Sequence, residues 1–180
     1  MPSHEDVPRN EVNSETTAER IRAMAPDLLL VSGAPILQET IWSIPSRATV
    51  NVHYGIAPNY RGEHTLFWPL YLRDYEHIGV TLHIVDHGID TGRVLARGYP
   101  EIGKDDTEPS LYAKCAILAS ELTLELLEKT PGVLRGVPQE SKGRLYLRKH
   151  RRLMVDAYYS LRRALGERPR VSERRIETYF

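Results

Sequence analysis

The sequence predicts an α/β domain: a mixed, mostly parallel sheet with a late β-hairpin and flanking helices. Three observations predict it. Helical and extended patterns alternate over the first half of the chain, an alternating apolar pattern on either side of a glycine-containing turn marks a hairpin at 79–102, and one long helical pattern follows at 107–129.

Each element has a local reason. Residues 16–25, TTAERIRAMA, form a short amphipathic pattern that begins on hydroxyl residues and stops before Pro26. The run 27-DLLLVSG-33 is apolar and bounded by turn residues, as in a central strand covered on both faces. Residues 36–42, ILQETIW, suit a short helix, and 47-RATVNVH-53 suits the next strand. The stretch 64-HTLFWPLYLRD-74 reads as a helix that Pro69 kinks or divides. In 79-GVTLHIVD-86, Val80, Leu82 and Ile84 alternate with Thr81, His83 and Val85; the turn HGIDTG leads into 93-RVLARGYPEI-102. The helix at 107–129 opens on Thr-Glu-Pro-Ser and closes at Pro131-Gly132.

A chain of 180 residues can bury one substantial core, and 41% hydrophobic with 27% charged residues is the composition of a globular domain. The net charge of +0 gives no general attraction to nucleic acid or membrane. The single cysteine, Cys115, excludes an internal disulfide and a multi-cysteine metal site, and its helical setting predicts a small buried residue. There is no apolar run of membrane-spanning length, and the first residues lack the basic-then-apolar order of a signal peptide, so the expected location is cytoplasmic. The chain divides into a flexible N-terminal segment (1–15), a main domain (16–133) and a basic C-terminal extension (134–180). From residue 131 onward, 13 Lys/Arg stand against 5 Asp/Glu, a local excess of +8. Those cations either contact acidic groups of the body or receive a phosphorylated ligand.

Two short stretches carry chemistry. The two-residue period of a strand places Thr49, Asn51 and His53 on one face and Val50 and Val52 on the other. A carboxamide and an imidazole together can hydrogen-bond one oxygen, which suits stabilisation of the oxyanion formed when a carbonyl is attacked; both residue types also serve as plain turn formers. In 86-DHGIDTG-92, Asp86 and Asp90 flank a glycine, and a carboxylate there can orient an imidazole or move a proton. His64, His77, His83 and His87 match no zinc spacing, so no metal is expected; there is no P-loop and no GxSxG.

Taken in order, PDLLLVSG, then NVHYGIAPNYRG followed by His64-Thr65, then GVTLHIVDHGIDTG resemble the folate-dependent formyltransferases. That family includes glycinamide ribonucleotide, methionyl-tRNA and sugar-nucleotide N-formyltransferases, and the resemblance covers roughly residues 20–130. It implies a partial Rossmann-like fold and transfer of a formyl group from N10-formyltetrahydrofolate to an amine without a metal. By the same resemblance Asn51, His53 and Asp90 are the catalytic residues: Asn51 and protonated His53 meet the oxyanion, and Asp90 orients His53 and helps move protons. Gly33, Ala34, Pro35, Ile36 and Leu37, with His87, Gly88 and Ile89, would line the folate, and Tyr54, Gly55, Arg61, Gly62 and His64 the acceptor.

Two departures stand out. The family's Ser-Leu-Leu-Pro loop is Gly55-Ile56-Ala57-Pro58 here, and strands and helices that precede the region matching Thr16–Gly33 in the family are not in this sequence. The expectation is an N-terminally truncated formyltransferase domain, with a longer native chain or a partner supplying those strands. No barrel-like tRNA-binding domain follows, which argues against tRNA, while the basic tail tilts the acceptor toward a small phosphorylated amine such as an amino sugar nucleotide. The stretch 139-QESKGRLYLRKHRR-152 resembles the segment that follows the catalytic core in several members and is placed near the acceptor. Hydrolysis of 10-formyltetrahydrofolate and an inactive, truncated binding domain are the alternatives, and a homodimer is left open.

Overall fold

A computed structural model describes residues 6–129 and 132–180. Its elements in chain order are α1 (Glu15–Met24), β1 (Leu28–Ser32), α2 (Glu39–Trp42), β2 (Ala48–His53), β3 (Tyr60–Gly62), α3 (Phe67–Leu72), β4 (Val80–Ile84), β5 (Val94–Tyr99), α4 (Glu108–Lys129), β6 (Arg144–Tyr146), α5 (Leu153–Ala164) and β7 (Arg175–Thr178). Five strands form one sheet in the order β1-β2-β4-β5-β7, and β3 pairs with β6 in a separate two-stranded sheet.

The α/β class, the mixed sheet and the hairpin β4–β5 are present. The parallel share is smaller than expected, because within the large sheet β1–β2 is the parallel pair and β2–β4, β4–β5 and β5–β7 are antiparallel. The strand 27–33, expected to be central, is instead at the sheet edge. Its one strand partner among the described residues is β2, so its apolar side chains are only half covered and Leu30 is 39% exposed. An apolar run records that a strand is attracted to a core, not how many neighbours it has.

Helices form where local geometry allows. Ser14 caps α1, its hydroxyl accepting the Thr17 N–H at 3.2 Å. The helix expected at 36–42 contracts to 39–42, because the Asn13 side chain holds the preceding loop extended: its amide donates to Ile36 O and its carbonyl accepts from Gln38 N. Pro69 falls in the first turn of α3, where no intrahelical N–H is required, and so leaves the helix undivided. Thr107 and Ser110 bond each other's backbone N–H groups at the start of α4; Pro131, expected to close that helix, lies outside the described residues.

The core follows from the 3.6-residue period. Leu118, Ala119, Leu122 and Leu126 share one face of α4 and pack on Val50, Val80, Leu82, Leu95 and Ala96 of the sheet. Cys115 and Leu111 turn toward Leu66, Leu70, Ile78 and Ile102. Cys115 is buried, and burial pushes its thiol up to about 12. The segment after residue 133 is joined to the body through two strand pairings, β7 on β5 and β6 on β3, and through bridges at Val94–Val137 and Ile102–Ser172. Many of its cations meet acidic groups: Arg151 forks onto Glu108 at 2.7 and 2.9 Å and reaches Asp156, Arg162 pairs with Glu167, and Arg174 with Glu121. No helix of the described residues is long and apolar enough to cross a membrane.

Candidate functional site

Antiparallel register builds the site. Asn51 of β2 lies opposite His83 of β4, and His53 opposite Thr81, so two strands bring four polar side chains to one face while Val50, Val80 and Leu82 serve the core on the other. The loop 86–92 leaves β4 beside the start of β2, where the Val85 N–H bonds Thr49 O. It then folds back so that Asp90 lies over the polar face. The site therefore sits on the face of the sheet rather than on its rim.

Asp90 is the hub. Its Oδ1 is 3.2 Å from Asn51 Nδ2 and 3.2 Å from His83 Nε2; its Oδ2 accepts the Gly62 N–H at 2.7 Å and lies 3.4 Å from His53 Nδ1. The side chain is 10% exposed. Burial alone would raise such a carboxyl, but the hydrogen bond from His83, the imidazole of His53 and the Gly62 N–H outweigh it and hold Asp90 at about 2.

The two imidazoles are oriented by backbone carbonyls. His53 Nε2 is 2.7 Å from Tyr60 O, so that nitrogen carries a hydrogen and Nδ1 faces Asp90. Burial lowers the His53 pKa, against the pull of Asp90, so the ring rests neutral with the Nδ1 lone pair toward the carboxylate. His83 Nδ1 donates to Ile84 O at 2.9 Å, which leaves Nε2 3.1 Å from Asn51 Nδ2 and 3.2 Å from Asp90. Without a second proton His83 accepts from Asn51; with one it donates to Asp90. Sequence reasoning weighed His83 only as a metal ligand. Its place opposite Asn51 depends on strand register, although the alternation in GVTLHIVD already put it on the polar face with Thr81.

The structure thus brings Asn51, His53 and Asp90 together. Arg61 and Gly62 are beside them and engaged with the same loop, Arg61 Nη1 donating to Ile89 O at 3.0 Å. Gly62 has φ +95°, and a Cβ there would lie 2.1 Å from Tyr146 O, so only glycine lets β3 approach β6 and still offer its N–H to Asp90. Gly55 is packed against His53 and Thr65. The Tyr54 ring stacks on Tyr112 at 4.6 Å, and His64 is exposed, its carbonyl accepting from Phe67 and Trp68 at the start of α3.

The two loops expected to line the folate leave the sheet at different places. Gly33–Leu37 follows Ser32, which pairs with Val52 near the end of β2, whereas His87–Ile89 lies toward its start. The His87 ring meets Trp42 edge-on at 5.1 Å. Among the described residues, two buried polar atoms beside the Asp90 loop have no partner: the donor Arg61 Nε and the acceptor Gln139 Oε1.

Residues 1–127 match the family model described as Formyl transferase. The methionyl-tRNA formyltransferase of Myxococcus xanthus is 39% identical over 128 residues, which are 70% of this chain and 41% of that protein. That of Halorhodospira halophila is 37% identical over 134 residues, 73% of this chain and 43% of the relative. The chain therefore spans about two fifths of the length of these curated relatives. Among solved structures, a 4-N formyltransferase from Francisella tularensis superposes with a TM-score of 0.67 at 15% identity, over 94% of this chain and 82% of that one. The formyltransferase PseJ from Anoxybacillus kamchatkensis, in complex with UDP-4,6-dideoxy-4-formamido-L-AltNAc and tetrahydrofolate, gives 0.61 at 24% identity, over 69% and 66%. At such identities the structural likeness shows a shared fold.

Proposed function

Because this chain belongs to the formyl transferase family, we propose that it moves the formyl group of N10-formyltetrahydrofolate to an amine of a small phosphorylated acceptor, such as an amino sugar nucleotide. The observation that carries the reading is the convergence of Asn51, His53 and His83 on the single carboxylate of Asp90. The folate supplies an activated formyl group whose oxygen gains negative charge as the amine attacks. Asn51 offers its amide N–H to that oxygen, in exchange for its present bond to Asp90. His53, neutral at rest, takes the proton lost by the amine on Nδ1, where Asp90 converts the imidazolium into an ion pair; the same proton then leaves toward the departing nitrogen of the folate.

His83 carries one fixed Nδ1–H and holds Asp90 and Asn51 in register. Loops 33–37 and 87–89 are proposed to line the folate, and Tyr54, Gly55, Arg61, Gly62 and His64 to border the acceptor. The exposed cations Arg144, Arg148, Lys149 and Arg152 extend from β6, which pairs with β3, and give a phosphorylated acceptor its counter-charge. The tetrahydrofolate and the formamido sugar nucleotide in the PseJ complex support the donor and the acceptor class.

The test follows tetrahydrofolate release from 10-formyltetrahydrofolate with amino sugar nucleotides, simpler amines and methionyl-tRNA. Release that needs a small amine, and that drops on the order of 100-fold in Asn51→Ala without a change in thermal midpoint, is the expected result. Release without an amine indicates a hydrolase. Formylation of methionyl-tRNA alone moves the acceptor to that in the names of the sequence relatives. No release and no folate binding leaves an inactive binding domain.

A further inference from the structure

Asp90 is a non-glycine residue with φ +51°, in the left-handed region. Strain of that kind persists only where the surroundings hold it. Inside the loop, Asp86 Oδ1 accepts from the Gly88 N–H and the Thr91 hydroxyl. From outside, Arg61 takes Ile89 O, and Gln139 Nε2 donates to Asp90 O at 2.9 Å and to Gly92 O at 2.8 Å. Gln139 is 49 positions from Asp90 in sequence, in the segment that follows α4.

The chemistry of a carboxamide suits this task. Its NH2 has two diverging hydrogens, and both are used on carbonyls that bracket the peptide units after Asp90. The opposite amide orientation would face its oxygen to two carbonyl oxygens, so the donors settle which way the side chain points. Its Oε1 has no partner among the described residues, so nothing else competes to orient the group.

We propose that Gln139 is a positioning residue for the reaction: by tying Asp90 O and Gly92 O it locks the left-handed turn that aims the Asp90 carboxylate at Asn51, His53 and His83. The segment after α4 is then a working part of the site. The catalytic consequence rests on the formyl-transfer reading; the geometric one does not.

The experiment uses the full chain with Gln139→Met, which keeps length and volume but has no donor, and Gln139→Glu, which turns oxygens toward the two carbonyls. Three quantities are read: kcat and KM for 10-formyltetrahydrofolate with an accepted amine, the pH profile of kcat/KM, and the 15N titrations of the His53 and His83 imidazoles. The expectation for Gln139→Met is a fall in kcat on the order of 10- to 100-fold with KM little changed. Its acid limb should move to lower pH, because a displaced Asp90 no longer supports the protonated form of His53, and both histidine titrations should shift, with Gln139→Glu at least as impaired. A folded Gln139→Met with wild-type kcat, pH profile and histidine titrations overturns the proposal. If the wild-type chain turns over no amine, the formyl-transfer reading has failed on its own, and the histidine titrations decide: unchanged, they sink the positioning role. Should Gln139→Met not fold, Gln139→Asn, which carries the donors one methylene short, is read by the same criteria.

Discussion

Replacing Asp90 by Asn keeps the shape of the hub and removes its charge. The carboxyl is held at about 2 against an ordinary 3.8. A folded-state value below the unfolded one means that the unfolded chain binds the extra proton as pH falls, so the stabilisation is present above the unfolded value and disappears through the folded one. A gap of nearly two units corresponds to about 2.5 kcal/mol at neutral pH, with roughly half of it gone by pH 3. Urea unfolding of the wild-type chain and Asp90→Asn between pH 6 and pH 3 measures the difference directly. The wild-type advantage should shrink by about 1 kcal/mol between pH 5 and pH 3. A difference between the two proteins that stays constant over that interval refutes the reasoning, because the carboxylate would then gain nothing from Asn51, His53, His83 and Gly62.

Two further outcomes follow from packing. A Cβ on Gly55 would lie 2.7 Å from both His53 Nε2 and Thr65 Cβ, so Gly55→Ala should cost about 1–3 kcal/mol in urea unfolding and impair turnover by displacing His53; an unchanged midpoint would show that the loop yields freely. Cys115 is buried and its thiol is pushed from 9.0 to about 12, so its reaction with a disulfide reagent at pH 8 should be roughly a thousand-fold slower in the native protein than in denaturant. Comparable rates in the two states would contradict the burial.

Much of the fold was legible because it is written in short-range periodicity. The alternation of Val80, Leu82 and Ile84 gave β4, the spacing of Leu111, Cys115, Leu118, Leu122 and Leu126 gave α4, and Asn51 and His53 fell on the polar face of β2 that they occupy. Apart from Pro69, whose place in the first turn of α3 is a local matter, the misreadings concern partners. The apolar run of β1 says nothing about how many strands flank it, and the side-chain grip of Asn13 on the loop before α2 joins residues that no local window compares. The strand β7, 175-RIET-178, is polar and short, and only its pairing with β5 makes it a strand. The sequence reading weighed His83 only as a metal ligand and placed Gln139 only within a stretch near the acceptor, for the same reason: register brings the first to Asn51, and a long-range hydrogen bond brings the second to Asp90.

The pairing of β3 with β6 also bears on how the molecule comes into being. Residues 60–62 supply both the carbonyl that orients His53 and the N–H that holds Asp90, yet the strand beside them is synthesised more than eighty residues later. Closing so long a loop is slow relative to forming α4 or the β4–β5 hairpin. A nascent chain can therefore pair β1, β2, β4 and β5 and form α4 early, while the cluster around Asp90 stays unset. Completion of that cluster awaits the arrival of 144–146, the strand that fixes residues 60–62 in place.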